Sequence, residues 1–164
     1  MYPDTKHKEA DVPSDTQKTQ FIEAVTSTKH AMYRVALVML RRPADAEDAV
    51  SEAVEAAWRN LEKVRDLDAL PAYLLKSTIN AAHKALRGWK RENTMEHLEA
   101  LLPSTHPETP VWMYLGGMKE KYSLPLLLRY SEGLSDQEIA GILHLPREPL
   151  RPDYPEGPKC SNKN

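Results

Sequence analysis

The chain of 164 residues holds a single cysteine, Cys160. One thiol cannot build an internal disulfide framework or a cysteine-based zinc site. Phe occurs once, and Phe, Trp and Tyr together supply only 7% of the residues. With Ala and Leu abundant, that balance disfavours a sandwich or barrel and favours helices. No stretch is long and apolar enough to span a bilayer. The polar opening from Met1 to Lys6 lacks the apolar core of a signal peptide. A cytoplasmic location is therefore expected. The sequence has no HExxH, no Gly-rich phosphate loop and no nucleophile beside a placed base. Its six histidines are scattered from His7 to His144. No catalytic constellation, metal site or cofactor is expected, and the chain does not read as an enzyme.

What is present is helical periodicity. Residues 1–18 are polar and aperiodic and read as a disordered leader. From Phe21 to Leu40, apolar residues recur at helical spacing, including Ile22, Val25, Met32, Ala36 and Leu37. Arg41 and Arg42 suit the end of that helix, and Pro43 can begin the next. A second helix is expected over 44–64, with Ala46, Ala49, Val50, Ala53, Ala57, Trp58 and Leu61 inward. A third follows, capped by Asp68, with Pro71 in its first turn and Leu74, Leu75, Ile79, Ala82, Leu86 and Trp89 inward. Residues 93–110 contain Pro103, Pro107 and Pro110 and read as a flexible linker, with a short helix at Met95 to Leu102. Two short helices are expected at Val111 to Lys119 and Ser123 to Tyr130, the latter ended by Gly133. The fold class is all-α, in two small modules, 19–92 and 111–146.

The net charge of -2 hides a segregation. Asp45, Glu47, Asp48, Glu52 and Glu55 carry acid with no intervening base. Lys76, Lys84, Arg87, Lys90 and Arg91 carry base, with no acid between Leu74 and Arg91. Either face is readable as a solvated helix surface. Together they suggest one basic protein partner and one nucleic acid: complementary charge steers protein encounter, and cations follow phosphates. Asn80, His83 and Trp89 add groups able to hydrogen-bond or stack on bases, although Trp58 and Trp89 taken singly read as core anchors before base stackers. Further on, Ser135 with Glu138 three residues later has the spacing of a capping box. With Ile139, Ile142 and Leu143 inward, this segment fits the first helix of a helix-turn-helix, or any capped amphipathic helix.

Three runs carry a resemblance. "PADAEDAVSEAVEAAWRNLEKV" resembles the second conserved region of bacterial sigma factors of the extracytoplasmic-function group. "LPAYLLKSTINAAHKALRGWKRE" is similar to the promoter-melting helix that follows, and "LLLRYSEGLSDQEIAGILHLP" to the start of the fourth region. Together they cover roughly residues 20–146, in the family's order. The resemblance implies a sigma region 2 helical bundle over 19–92, binding core RNA polymerase and the −10 element. It also implies a partial region 4 helix-turn-helix over 111–146. Asp45, Asp48 and Glu52 would contact the polymerase clamp coiled coil. Lys76, Asn80, His83, Lys84, Arg87, Lys90 and Arg91 would hold promoter DNA, with bases flipped from the opened strand near Asn80. Ser135, Gln137 and Glu138 would lie on the DNA side of the fourth region. The implied function is directing RNA polymerase to promoters for transcription initiation, with an anti-sigma factor as a further partner. Two alternatives stay open: a helix-turn-helix repressor, which should bind duplex DNA without polymerase, and a polymerase-binding module without promoter selectivity.

One segment departs from the family. A recognition helix beginning something like Gly-Thr-Val-Lys-Ser-Arg-Leu is expected after Leu145. Instead Pro146, Pro149, Pro152, Pro155 and Pro158 recur at every third position, and each interior proline costs a helix about 3 kcal/mol. Codons for Arg147 to Glu156, read from the third base of the Arg147 codon, can spell Gly-Thr-Val-Lys-(Ala or Thr)-Arg-Leu-Ser-Arg. The expectation is a frameshift within the fourth region, leaving 147–164 as a disordered Pro-rich tail. Base reading at the −35 element would then be impaired, and the apolar faces of Ile139 and Ile142 would lose their partner, leaving the module marginal or molten. A polyproline II segment for a partner domain is the alternative.

Overall fold

The computed structural model describes residues 12–92, 115 and 118–145, with side chains up to Trp89 in the first stretch. The linker 93–110, its short helix, most of the Val111 to Lys119 helix and the tail 147–164 lie outside the described residues. Five α-helices are described: α1 (Asp15–Leu40), α2 (Pro43–Arg59), α3 (Leu70–Glu92), α4 (Glu120–Tyr130) and α5 (Asp136–Leu143). No strand occurs among the described residues, in keeping with the all-α expectation.

α1 begins earlier than the polar leader suggested. Ser14 Oγ accepts from the Gln17 N–H at 3.2 Å, while the Gln17 side chain accepts from the Ser14 N–H at 2.9 Å. This reciprocal cap satisfies two otherwise orphaned donors and recruits polar residues into the first turn. The buried side of α1 runs through Phe21, Ala24, Thr28, Met32 and Val35. Ile22 lies about 100° round the helix from Phe21 and is 63% exposed, so it is not part of the inward stripe. The helix ends because Arg41 turns left-handed at φ 58. Arg42 is already extended, and Pro43 opens α2.

α2 buries only alanines: Ala46, Ala49, Ala53 and Ala57. Small side chains on one narrow stripe let it approach α1 and α3 closely. It ends at Arg59, short of the expected 64, and two single-turn 3-10 segments, Leu61–Lys63 and Leu67–Ala69, lead into α3. Asp66, rather than Asp68, caps the second of these, accepting from the Asp68 N–H at 3.1 Å. Along α3, Leu70, Leu74, Leu75, Thr78, Ile79, Ala81 and Ala82 are buried. The Thr78 hydroxyl escapes an unsatisfied burial by donating to the Leu74 carbonyl at 2.9 Å.

α4 and α5 do not stand apart. α4 packs on α1 and α5 on α3. Leu124, Leu127, Leu128, Ile139 and Ile142 join one hydrophobic cluster with Phe21, Met32, Val35, Leu74 and Ile79. This corrects the expectation that Ile139 and Ile142 lack a partner: they are 0% and 4% exposed. The partner is the first bundle, which sequence spacing could not reveal. α4 and α5 are 11 and 8 residues long, below the roughly 12–15 residues at which isolated helices become even marginal in water. Pro125 inside α4 weakens it further. Burial against α1 and α3 therefore holds these helices. Between them, Gly133 takes the left-handed turn at φ 67, and Leu134 N–H donates to the Leu128 carbonyl at 3.1 Å.

Candidate protein- and nucleic-acid-binding faces

The alanine stripe of α2 turns its carboxylates outward. Asp45, Asp48 and Glu52 follow at intervals of three and four and fall within roughly 60° of one another around the helix. Their surroundings differ. Asp45 is half-buried in the first turn, with Arg42 Nε 3.1 Å from its carboxylate. The contact lacks hydrogen-bond geometry and leaves that oxygen otherwise unpartnered. Asp45 thus serves the start of its own helix as well as any docking ridge. Glu52 pairs across to Lys84 on α3. Asp48 is exposed and, among the described residues, makes no ion pair.

On α3, Lys76, Asn80, His83, Lys84 and Arg87 fall within roughly 100° of arc. Asn80, Lys84 and Arg87 are exposed, while Lys76 and His83 are half-buried. Lys90 and Arg91 continue the helix, but their side chains are not among those described. On the other side of α3 from the stripe, the Arg42 guanidinium lies 5.2 Å from the centre of the Trp89 ring. That cation–π contact ties the start of α2 to the end of α3. Sequence reasoning missed Arg42 in this role because only the helix packing brings the two residues together. Trp58 stands edge-on to Phe21 at 5.3 Å and is 42% exposed, which makes it a partly exposed anchor of the bundle.

The two faces lie side by side and both reach solvent, joined at Glu52–Lys84. Side chains 46% and 68% exposed make this a surface pair, worth about 0.2–1 kcal/mol and easily exchanged for another partner. The arrangement presents acid to one neighbour and base to another without burying either charge.

The positions expected on the fourth-region side behave otherwise. Ser135 N–H donates to Glu138 Oε2 at 2.8 Å and Ser135 Oγ–H at 2.6 Å, while Glu138 N–H donates to Ser135 Oγ at 3.3 Å. These bonds hold the Glu138 carboxyl below its usual range, the side-chain bond from Ser135 contributing most. Both residues are committed to starting α5. Gln137 is exposed and borders a shallow concavity with Ala140, Gly141, His144 and Leu145. α5 ends as His144 turns left-handed at φ 53 and the Leu145 N–H reaches back to the Ala140 carbonyl at 3.0 Å.

Contacts between the two halves were not visible in the sequence at all. Arg34 on α1 makes a forked pair with Glu132, with Nε to Oε1 at 2.8 Å and Nη2 to Oε2 at 2.9 Å. His83 Nε2 lies 2.7 Å from Glu120 Oε1 at the start of α4. Among the described residues no cluster of His, Cys, Asp and Glu is arranged to hold a metal ion.

Residues 24–92, spanning α1 to α3, match the family model of sigma-70 region 2. The three-helix bundle is thus similar to sigma-70 region 2. Beyond the matched domain, the chain is similar to RNA polymerase sigma factor SigV of Bacillus subtilis (strain 168). The two are 26% identical over 132 residues, 77% of this chain and 80% of that protein. No solved structure matches. Sigma factors as a family are generally non-enzymatic. No helix among the described residues is long and apolar enough to cross a membrane.

Proposed function

We propose that the two neighbouring faces divide the labour of initiation. Asp48 and Glu52, with Asp45 behind them, meet the basic-rimmed coiled coil of the polymerase clamp. Lys76, Asn80, His83, Lys84 and Arg87, with Lys90 and Arg91 further along α3, receive the −10 element. The cations hold phosphates, and Asn80 lies near bases leaving the stack. Unstacking a base costs a few kcal/mol, so a face that captures the open strand favours melting by binding the open form. The catalysis of RNA synthesis stays with the polymerase. The observation that carries this reading is the segregation itself: opposite charges on adjacent helices of one bundle, both reaching solvent.

At the −35 element the chain is expected to be impaired. α5 is the first helix of the helix-turn-helix, and the sequence after Leu145 does not continue as a recognition helix. The shifted reading frame of Arg147 to Glu156 supports a frameshift as the cause, and sequencing the gene tests it. If that frame cannot encode the helix, the explanation fails. An anti-sigma factor is the expected restraint, and the cytoplasm, where the polymerase works, the expected site of action.

The clamp assignment is tested by recovering core RNA polymerase on the immobilised chain. Asp48→Lys/Glu52→Lys should lose most of the recovery seen with the native protein. Equal recovery removes the assignment. Retained recovery with failed initiation by the native protein would favour the alternative of a polymerase-binding module without promoter selectivity.

A further inference from the structure

The outer side of α4 is more apolar than a solvated helix face needs to be. Tyr122, Leu126 and Tyr130 recur at intervals of four and fall within roughly 80° of one another around the helix. They are 47%, 37% and 78% exposed, and Met118 just before the helix is exposed as well. These four are more than half of the large apolar side chains that reach solvent among the described residues. A contiguous exposed apolar stripe marks a docking face. Its charged surroundings lean positive. The carboxylates of Glu120, Glu132 and Asp136 are taken up by His83, Arg34 and Arg129. Lys119 and Lys121 are exposed, and the Lys121 ammonium lies 4.7 Å from the centre of the Tyr122 ring.

An occupant of matching period lies on the same chain. Beyond α5, Pro146, Pro149, Pro152, Pro155 and Pro158 recur at every third position. A polyproline II helix has three residues per turn, so that period puts every proline on one edge, about 9 Å apart. Tyr122 and Tyr130 are about 12 Å apart along α4. Exposed aromatic side chains are what Pro-x-x-Pro segments dock on, because the ligand loses little entropy in taking a form it already prefers. Reach is sufficient: residues 146–158 span up to about 37 Å, against about 16 Å for the 11 residues of α4. α5, from which the segment leaves, touches α4. Charge agrees too. Asp153 and Glu156 stand between the later prolines and complement Lys119 and Lys121.

We infer that the segment 146–158 folds back along the outer side of α4, its prolines seated on Tyr122 and Tyr130 with Leu126 between them. The match is one of spacing and charge, so it holds whatever the origin of the tail and does not depend on the assignment of α3 to DNA. Covering the stripe withdraws from other proteins the apolar face that α4 presents. It leaves the exposed Asn80, Lys84 and Arg87 of α3 untouched.

Cys160 is the sole cysteine and carries the probe. A nitroxide on Cys160 of the full chain should broaden the amide resonances of α4, relative to the same sample after the label is reduced. Tyr122→Ser/Tyr130→Ser should lose most of that broadening, and so should Pro149→Ser/Pro152→Ser/Pro155→Ser. The proline variant alters no residue of the helices, and the resonances of α1 to α3 report the fold of the tyrosine variant in the same spectra. A free peptide of residues 146–158, in excess, should displace the tail and reduce the broadening. The same peptide with serine at those three positions should not. The inference is overturned if α4 is not broadened in the native chain, or if broadening is equal in the native chain and both variants. Labelled chain mixed with unlabelled, isotope-enriched chain gives the remaining control. Broadening of α4 there, as strong as within one chain, would seat the tail on a second copy and overturn the intramolecular arrangement.

Discussion

Replacing Ile139 with alanine asks whether α4 and α5 share one cooperative core with the region 2 bundle. Ile139 is fully buried and belongs to the cluster that includes Phe21, Met32, Val35 and Leu74. The substitution deletes three buried carbons. At about 0.8 kcal/mol each, transfer alone costs about 2–3 kcal/mol. The cavity left behind brings the expected loss to about 3–4 kcal/mol, inside the usual range for this replacement. That is a large share of the roughly 5–15 kcal/mol that stabilises a typical domain. The assay is urea unfolding followed by tryptophan fluorescence in a Trp112→Phe background, because the other two tryptophans, Trp58 and Trp89, both lie in the first bundle. If the core is continuous, damage at Ile139 lowers the urea midpoint of a signal arising in the other half. Leu126→Ala, at a position 37% exposed on the outer side of α4, should change the midpoint little. The reasoning is refuted if Ile139→Ala leaves the tryptophan transition in place while circular dichroism shows a separate early loss of helix. The two halves would then unfold independently.

Other outcomes follow from the same geometry. Lys84→Glu/Arg87→Glu should weaken promoter opening, read by permanganate reactivity of the melted strand, while association with core polymerase stays unchanged. Ala53 sits in the narrow seam where α2 meets the bundle. Ala53→Leu should therefore overpack it, costing about 1–3 kcal/mol in denaturant unfolding. Ser135→Ala removes the cap of α5 and should cost about 1 kcal/mol, seen as faster amide exchange over 136–143. The cap also carries a pH dependence. Glu138 titrates below its ordinary 4.5, so its contribution is complete above that value and is lost as the pH falls through the lower folded-state value. Amide protection of α5 should fall over that acidic window, and Glu138→Gln should abolish the dependence.

The charge segregation was legible in the sequence because helical periodicity alone aligns Asp45, Asp48 and Glu52, and likewise Lys76, Asn80, Lys84 and Arg87. The cap at Ser135 and Glu138 was legible too, since its two partners are three residues apart. The start of α1 was misjudged because a polar capping box carries no apolar signal. The length of α2 was misjudged because apolar residues continue past Arg59 into turns that bury Leu61 without being α-helical.

Local pattern thus determined the helices, their inward stripes and the sign of each outer face, all of which depend on residues within a turn or two of one another. Only the tertiary structure decided what those helices lie against. Arg34 meets Glu132 across 98 positions, His83 meets Glu120 across 37, and Lys84 meets Glu52 across 32. Hydrophobic burial is non-directional, so a periodic stripe announces that a face will be covered but does not name its cover. For Ile139 and Ile142 that cover is the bundle of α1 to α3, and this packing places a carboxylate beside His83.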